Sequence, residues 1–253
     1  MRRILGFLFA LIGMIVTIAF AMFVSIPIVP WIVLPRGRRE RYAMRGAQLF
    51  AWLELRPLLW TRIETAGLEK LPKKPGYLVA SNHRSWIDVP LLMLYTASNG
   101  ISKKEVMYIP FFGPNGYLSG AIFFDRTNTA SRASVVTNAM RLLRGGANVH
   151  VFPEGTRTRD GRLGSKIYLR MLETCWENGI DVVPACVWGT ENVVPAQGFY
   201  AMPGQHVGIE VDAPLDRGSY PDAQSYAEAT WARVVEMARR RGCDAPFQER
   251  IAS

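Results

Sequence analysis

From Ile4 to Pro35 the chain carries no charged residue. A bilayer span needs about 20 consecutive apolar residues, so this run is long enough to enter a membrane. It is too long for one simple straight span, and Pro27, Pro30 and Pro35 interrupt its end. Arg2 and Arg3 precede it, while Arg36, Arg38, Arg39, Arg41 and Arg45 follow it. With basic residues on both sides, the charge rule that orients a single span gives a split answer, which points to both ends staying cytoplasmic. A second apolar stretch contains Leu49, Phe50, Trp52, Leu53, Leu55, Leu58, Leu59 and Trp60, and its tryptophans suit the headgroup level. Residues 1–60 are therefore expected to form a monotopic or re-entrant helical membrane anchor, with a single-pass helix as the alternative. Ala19-Phe20-Ala21 also resembles a signal-peptide cleavage site, but the apolar run continues well past it.

Charge supports the membrane reading. The 30 basic and 21 acidic residues give a net charge of +9, and most of the excess lies in residues 1–60, next to the apolar run. Basic residues beside apolar sequence are drawn to anionic headgroups. No zinc-finger spacing, recognition-helix pattern or aromatic RNA-binding motif speaks for a nucleic acid partner. Cys175, Cys186 and Cys243 are odd in number and widely spaced, so they suggest neither a disulfide framework nor a metal cluster. His150 and His206 lie in apolar strands and make no metal-binding spacing with His83, so no metal site is expected.

Beyond Trp60 short apolar runs alternate with helical patterns, the signature of an α/β domain. Strands are expected at Tyr77–Ser81, Gly120–Phe124, Val149–Phe152, Val182–Val187 and Val207–Val211. Helices are expected at Val89–Ala97, Ala130–Leu143, Lys166–Asn178 and Asp222–Arg241. The expected architecture is a mixed, largely parallel sheet flanked by helices over residues 61–253, behind the N-terminal helical membrane anchor.

The most informative segment is Ser81-Asn82-His83-Arg84-Ser85-Trp86-Ile87-Asp88, between an expected strand and an expected helix. On one continuous helix, positions five apart diverge by about 140°, so His83 and Asp88 can meet only if the histidine sits on the preceding loop. The carboxylate could then hold one imidazole nitrogen and leave the other as a general base. Ser85-x-x-Asp88 is equally a plain capping box, and both roles can coexist. A second strand end carries Glu154-Gly155-Thr156-Arg157, whose turn can offer backbone N–H groups and a guanidinium to a phosphate, or simply be a solvated loop. A third ends in Asp125-Arg126, a pairing that is usually an exposed salt bridge. Open α/β sheets place ligands at strand carboxyl ends, which favours reading the three together.

In this order, the segments resemble the blocks of the glycerolipid acyltransferase family, to which lysophosphatidic acid acyltransferases belong. Asn82-His83 with Asp88 is similar to the family's NHx4D block, and Glu154-Gly155-Thr156-Arg157 to its EGTR block. Val183-Pro184-Ala185-Cys186-Val187 resembles the looser fourth block, and an ordinary core strand would look alike. The resemblance implies that His83 deprotonates an acceptor hydroxyl and Asp88 orients and charge-stabilises it. It also implies that Arg126 and Arg157 contact the acceptor phosphate and Glu154 organises the site. The implied acyl donor is acyl-CoA or acyl carrier protein, with no cofactor. The implied acceptor is a lysophospholipid, above all lysophosphatidic acid, met at a membrane with the catalytic domain facing the cytoplasm (the inner membrane if bacterial). Another lysolipid acceptor, or a membrane-associated thioesterase or hydrolase, is the alternative. Arg84-Ser85-Trp86 departs from the smaller or uncharged residues many members carry inside the first block.

Overall fold

The computed structural model describes residues 7–8, 11–12, 15, 36–108, 112–125, 127–196 and 200–244. Almost all of the apolar run of residues 4–35, and Arg126, lie outside the described residues. Among the described residues no helix is long and apolar enough to cross a membrane.

A seven-stranded sheet forms the frame: β1 (Arg62–Ala66), β2 (Leu78–Ser81), β3 (Ser98–Lys103), β4 (Ile122–Phe124), β5 (Asn148–Val151), β6 (Val182–Trp188) and β7 (His206–Val211). Their spatial order is β1-β7-β6-β2-β5-β3-β4. All pairings are parallel except β6 with β7. The helices are α1 (Arg36–Leu53), α2 (Asp88–Thr96), α3 (Lys104–Met107), α4 (Phe112–Ser119), α5 (Thr129–Arg144), α6 (Arg170–Glu177), α7 (Thr190–Val193) and α8 (Ala223–Arg240). This is the mixed, largely parallel α/β sheet expected from the sequence.

Central strands read as continuous apolar runs because both faces of the sheet are covered. Tyr77, just ahead of β2, and Val79 within it enter one core with Leu91, Leu92, Val183, Ala185 and Val187. Leu78 and Ala80 enter the opposite core with Leu142, Val149, Leu172 and Tyr226. α1 packs on α2 and α4, burying Ala43, Met44 and Ala51. Gln48 Nε2 donates to Leu94 O at 3.0 Å, and Arg141 Nη1 lies 3.5 Å from Glu40 Oε1. A π-helical turn, Glu54–Leu58, ends α1 with Pro57 inside it. Residues 36–60 thus pack against the α/β unit.

Two strands escaped the sequence reading. β1 is an edge strand of sequence Arg-Ile-Glu-Thr-Ala with a half-exposed pattern, so it shows no apolar run. β3 begins Ser98-Asn99-Gly100, and its glycine answers to a contact: a Cβ on Gly100 would lie 2.6 Å from His150 Nε2. The expected helix from Lys166 begins only at Arg170. Tyr168 N instead donates to Pro153 O at 2.8 Å, tying the preceding residues to the loop after β5.

His150 is fully buried and its Nδ1 shares a hydrogen bond with Ser98 Oγ at 2.9 Å. Burial lowers its pKa from 6.5 to about 4. The native fold holds the ring neutral, whereas the unfolded chain protonates below its ordinary value. Stability is therefore complete above pH 6.5 and falls as pH drops toward 4, by at most about 1.4 kcal/mol per pH unit. Denaturant titrations across this window should show the decline in wild type and a smaller one in His150→Gln; identical slopes would contradict the assignment.

Candidate active site

The carboxyl ends of β2, β5 and β6 are neighbours, and the site is built where they finish. β2 gives way to Asn82, whose side chain adds one more rung to the sheet. Its Nδ2 donates to Val187 O at 2.9 Å, and its Oδ1 accepts from Val187 N at 2.8 Å. This anchors the loop on β6 and places His83 at the rim.

His83 Nδ1 lies 2.8 Å from Asp88 Oδ2, with the histidine side chain 16% exposed and the carboxylate fully buried. Asp88 opens α2, and the preceding turn wraps it: Arg84 N and Ser85 N donate to Oδ2 at 2.6 and 2.7 Å. Thr190 Oγ1, at the start of α7, donates to Oδ1 at 2.5 Å. An acceptor surrounded by donors takes the Nδ1–H tautomer of His83, leaving Nε2 as the ring's basic atom. Asp88 serves both as histidine partner and as acceptor for backbone amides, so the two readings of the first segment coexist. Ser85 Oγ accepts from Ile87 N at 3.2 Å and donates to Val194 O at 2.6 Å, so the serine caps the turn that leads into the helix, whose regular part begins only at Asp88 with Ile87 as its N-cap.

β5 supplies the opposite wall. Phe152 stacks on the His83 ring at 3.8 Å and 9°. Glu154 Oε1 accepts from His83 N at 2.8 Å and Oε2 from Gly164 N at 2.7 Å, while Thr158 N donates to His83 O at 2.9 Å. Burial pushes the Glu154 carboxyl up, against the pull of those two amides. Glu154 thus clamps the histidine backbone. Gly155 turns the chain at φ +65°, a left-handed conformation that favours glycine, so Thr156 faces solvent and Arg157 is half-buried. Arg157 lies over the Trp86 ring, 4.6 Å from its centroid. Its Nη1 is buried without a protein hydrogen-bond partner.

His83, Asp88, Glu154, Gly155, Thr156 and Arg157 thus share one edge. Asp125 is described and pairs with Lys104 at 2.5 Å, but Arg126 beside it lies outside the described residues. Among the described residues no group of His, Cys, Asp or Glu could hold a metal ion. The sequence reading missed Thr190 and Glu191. It also missed the task of Arg84, which holds Glu191 through Nε and Nη2 at 3.0 and 3.1 Å and donates Nη1 to Gly161 O and Cys243 O. The unusual charge at position 84 was the available signal; its partners were not readable.

A histidine oriented by a buried carboxylate, near a cation with an unused donor, has the chemistry to act as a general base next to a group able to bind an anion. The family model described as Acyltransferase matches residues 62–188, and the chain belongs to that family. A chloroplastic 1-acyl-sn-glycerol-3-phosphate acyltransferase of Arabidopsis thaliana is 32% identical over 195 residues, covering 76% of this chain and 54% of its own length. A 1-acyl-sn-glycerol-3-phosphate acyltransferase of Borreliella burgdorferi is 29% identical over 135 residues, 52% of this chain and 53% of its own. The chain thus spans about half the length of these curated relatives. The crystal structure of the 1-acyl-sn-glycerophosphate (LPA) acyltransferase PlsC from Thermotoga maritima superposes with a TM-score of 0.80 at 23% identity, over 95% of this chain and 96% of that one. It shares the fold.

Proposed function

We propose that this chain transfers a fatty acyl group from the thioester of acyl-CoA or acyl carrier protein to the free hydroxyl of a lysophospholipid, specifically lysophosphatidic acid, giving phosphatidic acid. The observation that carries the reading is the buried His83–Asp88 pair. The named relatives support the choice of substrate class.

In the proposed reaction His83 Nε2 takes the acceptor hydroxyl proton while Asp88 balances the developing imidazolium through Nδ1–H. The freed oxygen attacks the thioester carbonyl, and the tetrahedral intermediate expels the thiolate. His83 returns its proton to that sulfur, restoring the neutral ring. No covalent enzyme intermediate and no cofactor are needed, because the thioester is already the activated donor. Arg157 and Arg126 take the acceptor phosphate, and Glu154, Gly155 and Thr156 shape the loop that presents Arg157.

Residues 1–60 are the proposed membrane anchor and 61–253 the acyltransferase domain, which faces the cytoplasm (at the inner membrane if bacterial). In support, Tyr42, Leu49 and Trp52 are exposed at spacings of seven and three residues, which place them on one side of a helix. Because β7 runs opposite to β6, β1 and β7 begin at the edge where β6 ends. This brings Trp60, 70% exposed, to the site's edge of the sheet.

The test uses the purified full chain in detergent, with acyl-CoA or acyl carrier protein as donor and a panel of lysophospholipids, followed by mass spectrometry. A new acyl ester on lysophosphatidic acid is expected. Release of free fatty acid without an acylated acceptor would replace this reading with a thioesterase.

A further inference from the structure

Arg157 is held in an unusual way for a half-buried cation. Buried arginines ordinarily pair with a carboxylate that occupies the guanidinium's hydrogen-bonding edge. Here the support is instead a ring face, 4.6 Å from the guanidinium carbon, and a π face consumes no N–H donor. Nη1 remains buried without a protein hydrogen-bond partner. Desolvation lowers the affinity of the group for its proton, with Asp88 pulling the other way. Trp86 itself is 53% exposed, so core packing does not explain it. It is held in place through its chain neighbours: Ser85 is fixed to Val194, and Ile87 is buried.

We infer that Trp86 is a positioning residue, a π shelf that fixes the plane of Arg157 and keeps its donors free for the phosphate of the acceptor. The inference rests on the acyltransferase reading and adds a determinant of acceptor affinity to it. Trp86 lies inside the His83–Asp88 loop, so the base and the phosphate contact are set by one hydrogen-bonded turn. The acceptor hydroxyl and phosphate are thereby held in register.

Steady-state kinetics on the full chain with varied lysophosphatidic acid tests this. Trp86→Leu, which keeps bulk but removes the π face, raises acceptor KM about tenfold, with kcat within about twofold and donor KM unmoved. Trp86→Phe stays within about threefold of wild type. In an Arg157→Ala background Trp86→Leu adds no further loss, because the shelf acts only through the cation. Three results would each overturn the inference: losses that multiply in the double variant, a fall in kcat with acceptor KM unmoved, or Trp86→Phe as impaired as Trp86→Leu. Absence of acyl transfer by wild type would remove the acyltransferase reading along with it. Transfer by wild type with an uncoupled Trp86–Arg157 pair removes the shelf alone.

Discussion

His83→Ala is expected to lower kcat by about a thousandfold or more, while the protein stays folded, because general-base catalysis contributes about 10²–10⁴-fold and here the oriented base is deleted outright. Among the described residues the ring makes one hydrogen bond, to Asp88, and one stack, on Phe152, and neither holds the sheet together. The loop keeps its course through Asn82, Glu154 and Thr158, which bind side-chain or backbone groups other than the imidazole. Asp88→Asn should lose comparable activity and also stability. Its carboxylate accepts from two backbone amides, the histidine and Thr190, and an amide NH2 cannot replace an acceptor there. Activity and thermal unfolding measured on the same preparations separate the two. A folded His83→Ala protein as active as wild type would end the mechanism proposed here.

Arg84→Ala is expected to be the most destabilising single change near the site. The guanidinium is 4% exposed and paired with Glu191, and it also satisfies the carbonyls of Gly161 and Cys243. Removing one partner of a buried pair costs about 3–5 kcal/mol, because the other charge stays buried and uncompensated. In a chain of this size that corresponds to a melting temperature lower by about 10 °C. Arg84→Lys should rescue little, since an ammonium cannot reproduce the fork that reaches a carboxylate and two carbonyls. Glu191 lies next to Thr190, so catalysis should weaken as well. Thermal unfolding of both variants unchanged from wild type would show that this cluster does not hold the C-terminal segment to the active loop.

The local parts of the site were legible. His83 and Asp88 are five residues apart across a strand-to-helix junction, and that junction alone brings imidazole and carboxylate to 2.8 Å. Asn82, Glu154 and Arg157 were visible as polar residues ending apolar strands, and Gly155 as the turn residue among them. β2, β5, β6 and β7 could be read because buried strands show as apolar runs. β1 could not: as an edge strand it is half polar.

What the sequence determined by itself was the α/β class, the strand ends where the candidate site residues sit, and the pairing of His83 with Asp88. All of these depend on residues within one turn or one strand of each other. Tertiary structure alone decided the rest. Thr190 reaches Asp88 across 102 residues of chain and Arg84 reaches Glu191 across 107, because β2 pairs with β6. Trp86 meets Arg157 because β2 also pairs with β5. Strand order is set by how two apolar faces are covered at once, a property of the whole sheet that no local window of residues contains.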